Sequence, residues 1–228
     1  MTPLRSQRGF TLIELIVAMT ISTMTVLAVF AILDTTVKQS NAVAGRVNAT
    51  QRARLTMDTI TRQLRSQVCY SPTVPALVSA TDDAVKFHMD LSDGSKSIAQ
   101  HELVFNPTAR TITERVWPGQ GAPLTFPTRT LNRQLVDGVT RAQAADGTVI
   151  PVFRYYAYNL ATPPRPALRL TTPLSATDLA RVAKIEVSFR ALPPGNKTGS
   201  AAGAVSLQNE VYVRVADPND PAPTPTCA

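Results

Sequence analysis

The sequence predicts an α+β fold in which one long N-terminal helix packs on an antiparallel β-sheet. Three observations predict it. Between residues 10 and 71 there is no proline, and Gly45 is the only glycine, so a helix that starts near residue 10 meets nothing that would break it. Beyond residue 71, short runs rich in β-branched and aromatic residues alternate with turn residues. At 228 residues and 44% hydrophobic content the chain can bury one sizeable core.

The first nine residues, MTPLRSQRG, are polar and carry Arg5 and Arg8 with no acid. From Phe10 to Leu33 the chain is apolar apart from a single charge, Glu14. As a helix this run reaches about 36 Å, enough to cross a hydrocarbon core of about 30 Å. Arg5 and Arg8 precede it, and Asp34 and then Lys38 follow it. The positive-inside rule therefore puts Met1 in the cytoplasm and the chain after residue 33 outside, as a single-pass membrane protein. A cleaved secretory signal has an apolar core of only about 7–15 residues followed closely by a small-x-small site. Here Ala42-Val43-Ala44 lies well beyond the run. A plain signal anchor fits the hydropathy but has no use for Glu14, because a lone carboxylate in a spanning helix costs about 3 kcal/mol.

The helix is expected to continue past the membrane over residues 34–70. Val43, Val47, Ala53, Met57, Ile60, Leu64 and Val68 recur at three- and four-residue steps, interrupted at Thr50, as for a helix laid on a sheet. Leu55 falls off that stripe. The other surface carries Arg46, Arg52, Arg54, Arg62 and Arg65 with Asp58 as its acid. Such a face is solvated, or it meets acidic neighbours, lipid head groups or nucleic acid, with Arg54, Arg62 and Arg65 as the candidate anion contacts. Ser71-Pro72-Thr73-Val74-Pro75 is expected to stop the helix.

The stretch Arg8-Gly9-Phe10-Thr11-Leu12-Ile13-Glu14-Leu15 closely resembles the processing motif of type IV prepilins and of type II secretion pseudopilins. The resemblance implies a pilin-like fold and a leader, residues 1–9, removed by a prepilin peptidase that cuts after Gly9 and N-methylates Phe10. It makes Glu14 the fifth mature residue, the one that serves assembly in that family. The implied partners are other pilin or pseudopilin subunits, the peptidase and the membrane, and the implied end point is a cell-surface or periplasmic filament. The segment Arg52 to Arg65 looks like the arginine-bearing helix of larger minor pilins and minor pseudopilins. Ala31 departs from the proline that many major pilins carry inside the apolar half. The family leaves three roles open: subunit of a type IV pilus, subunit of a secretion pseudopilus, or DNA-binding minor pilin of a DNA-uptake pilus. Loss of Arg5 and Arg8 from the 23 basic residues, against 16 acids, would leave a formal +5.

Residues 71–216 read as a β-rich domain. Val85 to Met89 alternates cleanly and turns at Asp90 to Gly94, and Glu102 to Asn106 with Thr111 to Val116 reads as a hairpin. Val152 to Tyr158, Arg181 to Phe189 and Val205 to Val215 supply further strands. Residues 217–228, DPNDPAPTPTCA, form a proline-rich tail. The two cysteines are Cys69 and Cys227. Outside the cytoplasm they are expected to pair and to tie the tail to the end of the first helix.

No catalytic motif, cofactor site or metal site is expected. The sequence has no G-x-S-x-G, H-E-x-x-H or Walker A pattern. Gly195-Asn196-Lys197-Thr198-Gly199 reads as a loop, because its lysine precedes the second glycine. His88, opposite Phe87 in its strand, is expected at the surface. Trp117 is expected to cap a core edge. Asp217, Asn219 and Asp220 read as turn residues and not as calcium ligands.

Overall fold

The computed structural model describes residues 9–69, 71, 74–90, 98–158, 167–193 and 204–213. The chain divides into two compact units, Met1–Gly45 and Arg46–Ala228. The first unit contributes the N-terminal part of helix α1, Leu12–Arg65. The second holds the C-terminal part of α1, a short helix α2, Ala176–Arg181, and all the strands.

In the first unit every side chain from Phe10 to Leu33 is exposed, and the helix is long and apolar enough there to cross a membrane. Its threonine hydroxyls donate back to helix carbonyls, Thr20 to Val17 at 2.8 Å, Thr23 to Met19 at 2.7 Å and Thr25 to Ile21 at 2.9 Å. Polar groups satisfied within the helix are tolerated in lipid, where no water can serve them.

In the second unit, β1 (Leu77–Ala80), β2 (Ala84–Asp90), β3 (Ile98–Asn106), β4 (Thr111–Pro118) and β5 (Leu131–Val136) form an antiparallel meander in that order. The predicted hairpin pairs Asn106 with Thr111 and His101 with Val116. Asn106 Oδ1 closes its turn by accepting from Thr108 N at 3.0 Å and Ala109 N at 2.9 Å. A second antiparallel sheet runs β10–β9–β11–β12, built from β9 (Phe153–Tyr158), β10 (Ala167–Arg169), β11 (Lys184–Ala191) and β12 (Val205–Tyr212). Strand β6 (Val139–Thr140) adds to β11, while β7 (Ala142–Gln143) and β8 (Val149–Ile150) form a separate pair. The fold is thus α+β and pilin-like, with a long N-terminal helix and antiparallel sheets, as the sequence predicts.

The C-terminal part of α1 joins both large sheets. Ala49, Ala53, Met57, Ile60 and Leu64 share one core with Phe87, Phe105 and Ile112 of the first sheet and Phe153, Tyr155 and Ile185 of the second. Thr61 Oγ1 accepts from Asn209 Nδ2 on β12 at 3.2 Å. On the other side Gln63 Nε2 donates to Glu114 Oε1 on β4 at 2.5 Å. That buried carboxylate also has His101 Nδ1 at 3.2 Å and accepts from Arg133 Nε at 3.0 Å and Nη2 at 2.6 Å. Burial pushes the Glu114 carboxyl up, but hydrogen bonds from His101 and Arg133 and the charge of Arg133 outweigh it and hold it below its ordinary value.

Several expectations are corrected. Helix α1 ends at Arg65, before the proline cluster. The chain turns at Ser66, and Val68 N then donates to His88 O at 3.0 Å, so pairing with β2 ends the helix. Val43 and Val47 are exposed and Ala49 is buried in their place. Arg181 belongs to α2 and not to a strand; Ser175 Oγ caps that helix by accepting from Asp178 N at 3.1 Å. His88 is buried, at 3% exposure, although it does lie opposite Phe87. The Phe126 ring covers it at 5.4 Å, with α2 beside them. Trp117 is half-buried with Lys86 Nζ 4.2 Å from its ring centre. The expectations for Arg5, Arg8, the Asp90 to Gly94 turn beyond Asp90, the Gly195 to Gly199 loop, and Asp217, Asn219, Asp220 and Cys227 lie outside the described residues.

Candidate functional site

Gly9 and Phe10 stand outside α1, and Thr11 is the residue before its first turn. Thr11 Oγ1 accepts from Glu14 N at 3.3 Å, and Leu15 N donates to Thr11 O at 3.2 Å. Thr11 therefore caps the helix, with Glu14 at the third helical position, where its negative charge faces the positive end of the helix dipole. This Thr-x-x-Glu spacing is a helix-start signal legible in the sequence. The Gly9–Phe10 bond thus lies in non-helical backbone, and cutting it leaves the cap intact.

A Cβ placed on Gly9 would meet nothing within 4 Å, and its backbone angles do not demand glycine. The fold of this chain gives no reason for a glycine there. Phe10 is 83% exposed. Glu14 is exposed on the apolar helix, and among the described residues nothing pairs with its carboxylate.

The three arginines proposed as anion contacts are brought onto one exposed side of α1. Arg54, Arg62 and Arg65 are exposed and have no ion-pair partner among the described residues, whereas Arg52 is bound to Asp137. Cys69 is half-buried and does not carry a free thiol. Among the described residues no cluster of three or more metal-ligating side chains occurs.

The family model described as the prokaryotic N-terminal methylation motif matches residues 4–30. A search of curated proteins matches none to the chain. The matched segment contains Gly9, Phe10 and Glu14 and most of the apolar run of α1; the motif and that run fit a membrane-anchored subunit of the kind that prepilin peptidase processes and that associates with other pilins. On the methylation motif and the long apolar N-terminal helix together, the chain is a type IV prepilin-like protein.

Proposed function

We propose that the chain is a minor subunit that enters or primes a type IV pilus or a type II secretion pseudopilus. Its parts are the leader 1–9, the membrane and filament-core helix 10–33, the extracytoplasmic continuation to 70, the β-rich domain 71–216 and the tail 217–228. The carrying observation is Gly9: an exposed glycine in non-helical backbone, with open space around it, is explained by a peptidase cleft that must approach the main chain closely. Cleavage frees the Phe10 amine, largely charged at neutral pH because its reference pKa is about 7.7–8.0. Glu14 then pairs with the Phe10 amine of an adjacent subunit, each charge offsetting the other's cost in an apolar environment. Arg5 and Arg8 keep the leader cytoplasmic, and the β-rich domain lies outside. There a Cys69–Cys227 disulfide closes the tail onto the end of the helix.

The test is the N-terminal mass of the protein from cells with and without a prepilin peptidase. Loss of residues 1–9 and a methyl group on Phe10, seen only with the peptidase and blocked by Gly9→Val, is the expected result. An intact Met1 in both strains, or cleavage after Ala44, would overturn the reading.

A further inference from the structure

We propose that the exposed side of α1 between Arg52 and Arg65 docks a different, acidic subunit of the same filament; the proposal rests on the subunit reading above. Helical spacing sets Arg54, Asp58, Arg62 and Arg65 on the side opposite the buried Ala53, Met57, Ile60 and Leu64, and all four are exposed. Leu55 lies on that side, one turn before Asp58 and two turns before Arg62, and is 68% exposed. It stands at the rim of a groove of about 300 Å³ between α1 and β5, whose far wall is Gln134, Leu135 and Asp137. The face therefore offers three guanidinium groups that lack an acid among the described residues, one carboxylate, and an apolar anchor beside a groove.

Charge decides among the possible occupants. A second copy would bring the same arginine face and a formal excess of basic over acidic residues, so like would meet like. A nucleic acid would have to run its phosphates past Asp58, which stands four residues from both Arg54 and Arg62. The described exposed residues from Arg52 to Arg65 also include no aromatic side chain on which a base could stack. A protein face with several carboxylates, one cationic side chain set against Asp58 and one protruding apolar side chain satisfies every feature, and a nucleic acid has no cation to offer Asp58: the arginine forks take carboxylates in bidentate pairs, and the apolar group covers Leu55 and enters the groove.

The experiment uses the full chain in cells that build the filament, with a photo-crosslinking amino acid in place of Leu55. The expected product is a crosslink to another subunit whose contact peptide is rich in Asp and Glu. The triple substitution Arg54→Glu, Arg62→Glu, Arg65→Glu should lower its yield about tenfold, and acid-to-arginine changes in that contact peptide should restore it. Loss of residues 1–9 is followed in the same samples: absent processing defeats the subunit reading, whereas intact processing with any of the following results defeats this proposal alone. Those results are crosslinks to copies of the chain itself, no protein crosslink, a yield indifferent to charge reversal, or DNA held by the purified full chain in a salt-sensitive, Arg62-dependent way.

Discussion

Replacing Glu114 with alanine should detach the side chain that fastens α1 to the first sheet. The carboxylate is 2% exposed and is contacted by Gln63 of α1, His101 of β3 and Arg133 near the start of β5. Without it Gln63 Nε2 and His101 Nδ1 are left in the core with no acceptor, at about 1–3 kcal/mol per orphaned group. Breaking a buried ion pair costs about 3–5 kcal/mol, but the Arg133 side chain is 54% exposed and can turn to water, so the lower end applies. The expected loss is about 3 kcal/mol, or about 6–12 °C in Tm for a domain of this size. The control is Glu102→Ala, whose 3.2 Å pair with Arg115 lies on the outer face and is partly solvated, worth less than about 1 kcal/mol. Trp117, the only tryptophan and three residues from Glu114 on the same strand, reports unfolding of the full chain in detergent micelles. If Glu114→Ala melts within about 1 kcal/mol of Glu102→Ala, the carboxylate does not fasten the helix and the reasoning fails. A pH series adds a second check. The Glu114 carboxyl is held below its ordinary 4.5 in the folded chain. Its contribution is therefore complete above pH 4.5 and lost as pH falls through the folded value, and Glu114→Gln should flatten that limb.

Three further outcomes are expected. Ile60→Ala removes a fully buried side chain and should cost about 2–5 kcal/mol in the same melting assay, while Leu55→Ala should change Tm by less than about 2 °C because its side chain is mostly exposed. His88 is held below its ordinary 6.5, chiefly by burial, with Lys86 adding to this against a hydrogen bond to Pro75; the neutral ring is the folded form, so stability should fall as pH drops below 6.5, and a His88→Gln chain that loses as much between pH 7 and pH 5 would contradict this. Glu14→Gln should leave the melting of the β-rich unit and cleavage after Gly9 unchanged while sharply reducing incorporation into filaments, read by shearing and quantifying subunits; normal incorporation would remove the cross-subunit role for Glu14.

The methylation motif, the apolar run, the α+β class and the main hairpin were legible from the sequence because each depends on local chemistry. The methylation motif is carried by contiguous residues around Gly9. Membrane insertion depends on summed hydropathy, and the hairpin depends on alternation across a short turn. Helix α2 carries a local signal in Ser175 and Asp178 at capping spacing, but its six residues are too few to show a helical period beside the β-rich run that begins at Lys184.

Other features were decided by the tertiary structure. Whether Val47 or Ala49 enters the core depends on where the sheets begin beneath the helix, and no periodicity within the helix contains that boundary. The helix ends at Arg65 because β2 offers Val68 a backbone acceptor at His88, which a propensity argument that looks to the next proline cannot see. His88 alternates as a surface residue should, yet α2 and Phe126, distant in sequence, cover that face. The Glu114 cluster joins residues 63, 101, 114 and 133 from four separate elements. The sequence by itself carried the methylation motif, the apolar run and the α+β class. Which charges are buried, which arginines lack an ion-pair partner among the described residues and where the helix docks were settled only when the two sheets closed on α1, because burial and pairing are properties of segments brought together and not of any one of them.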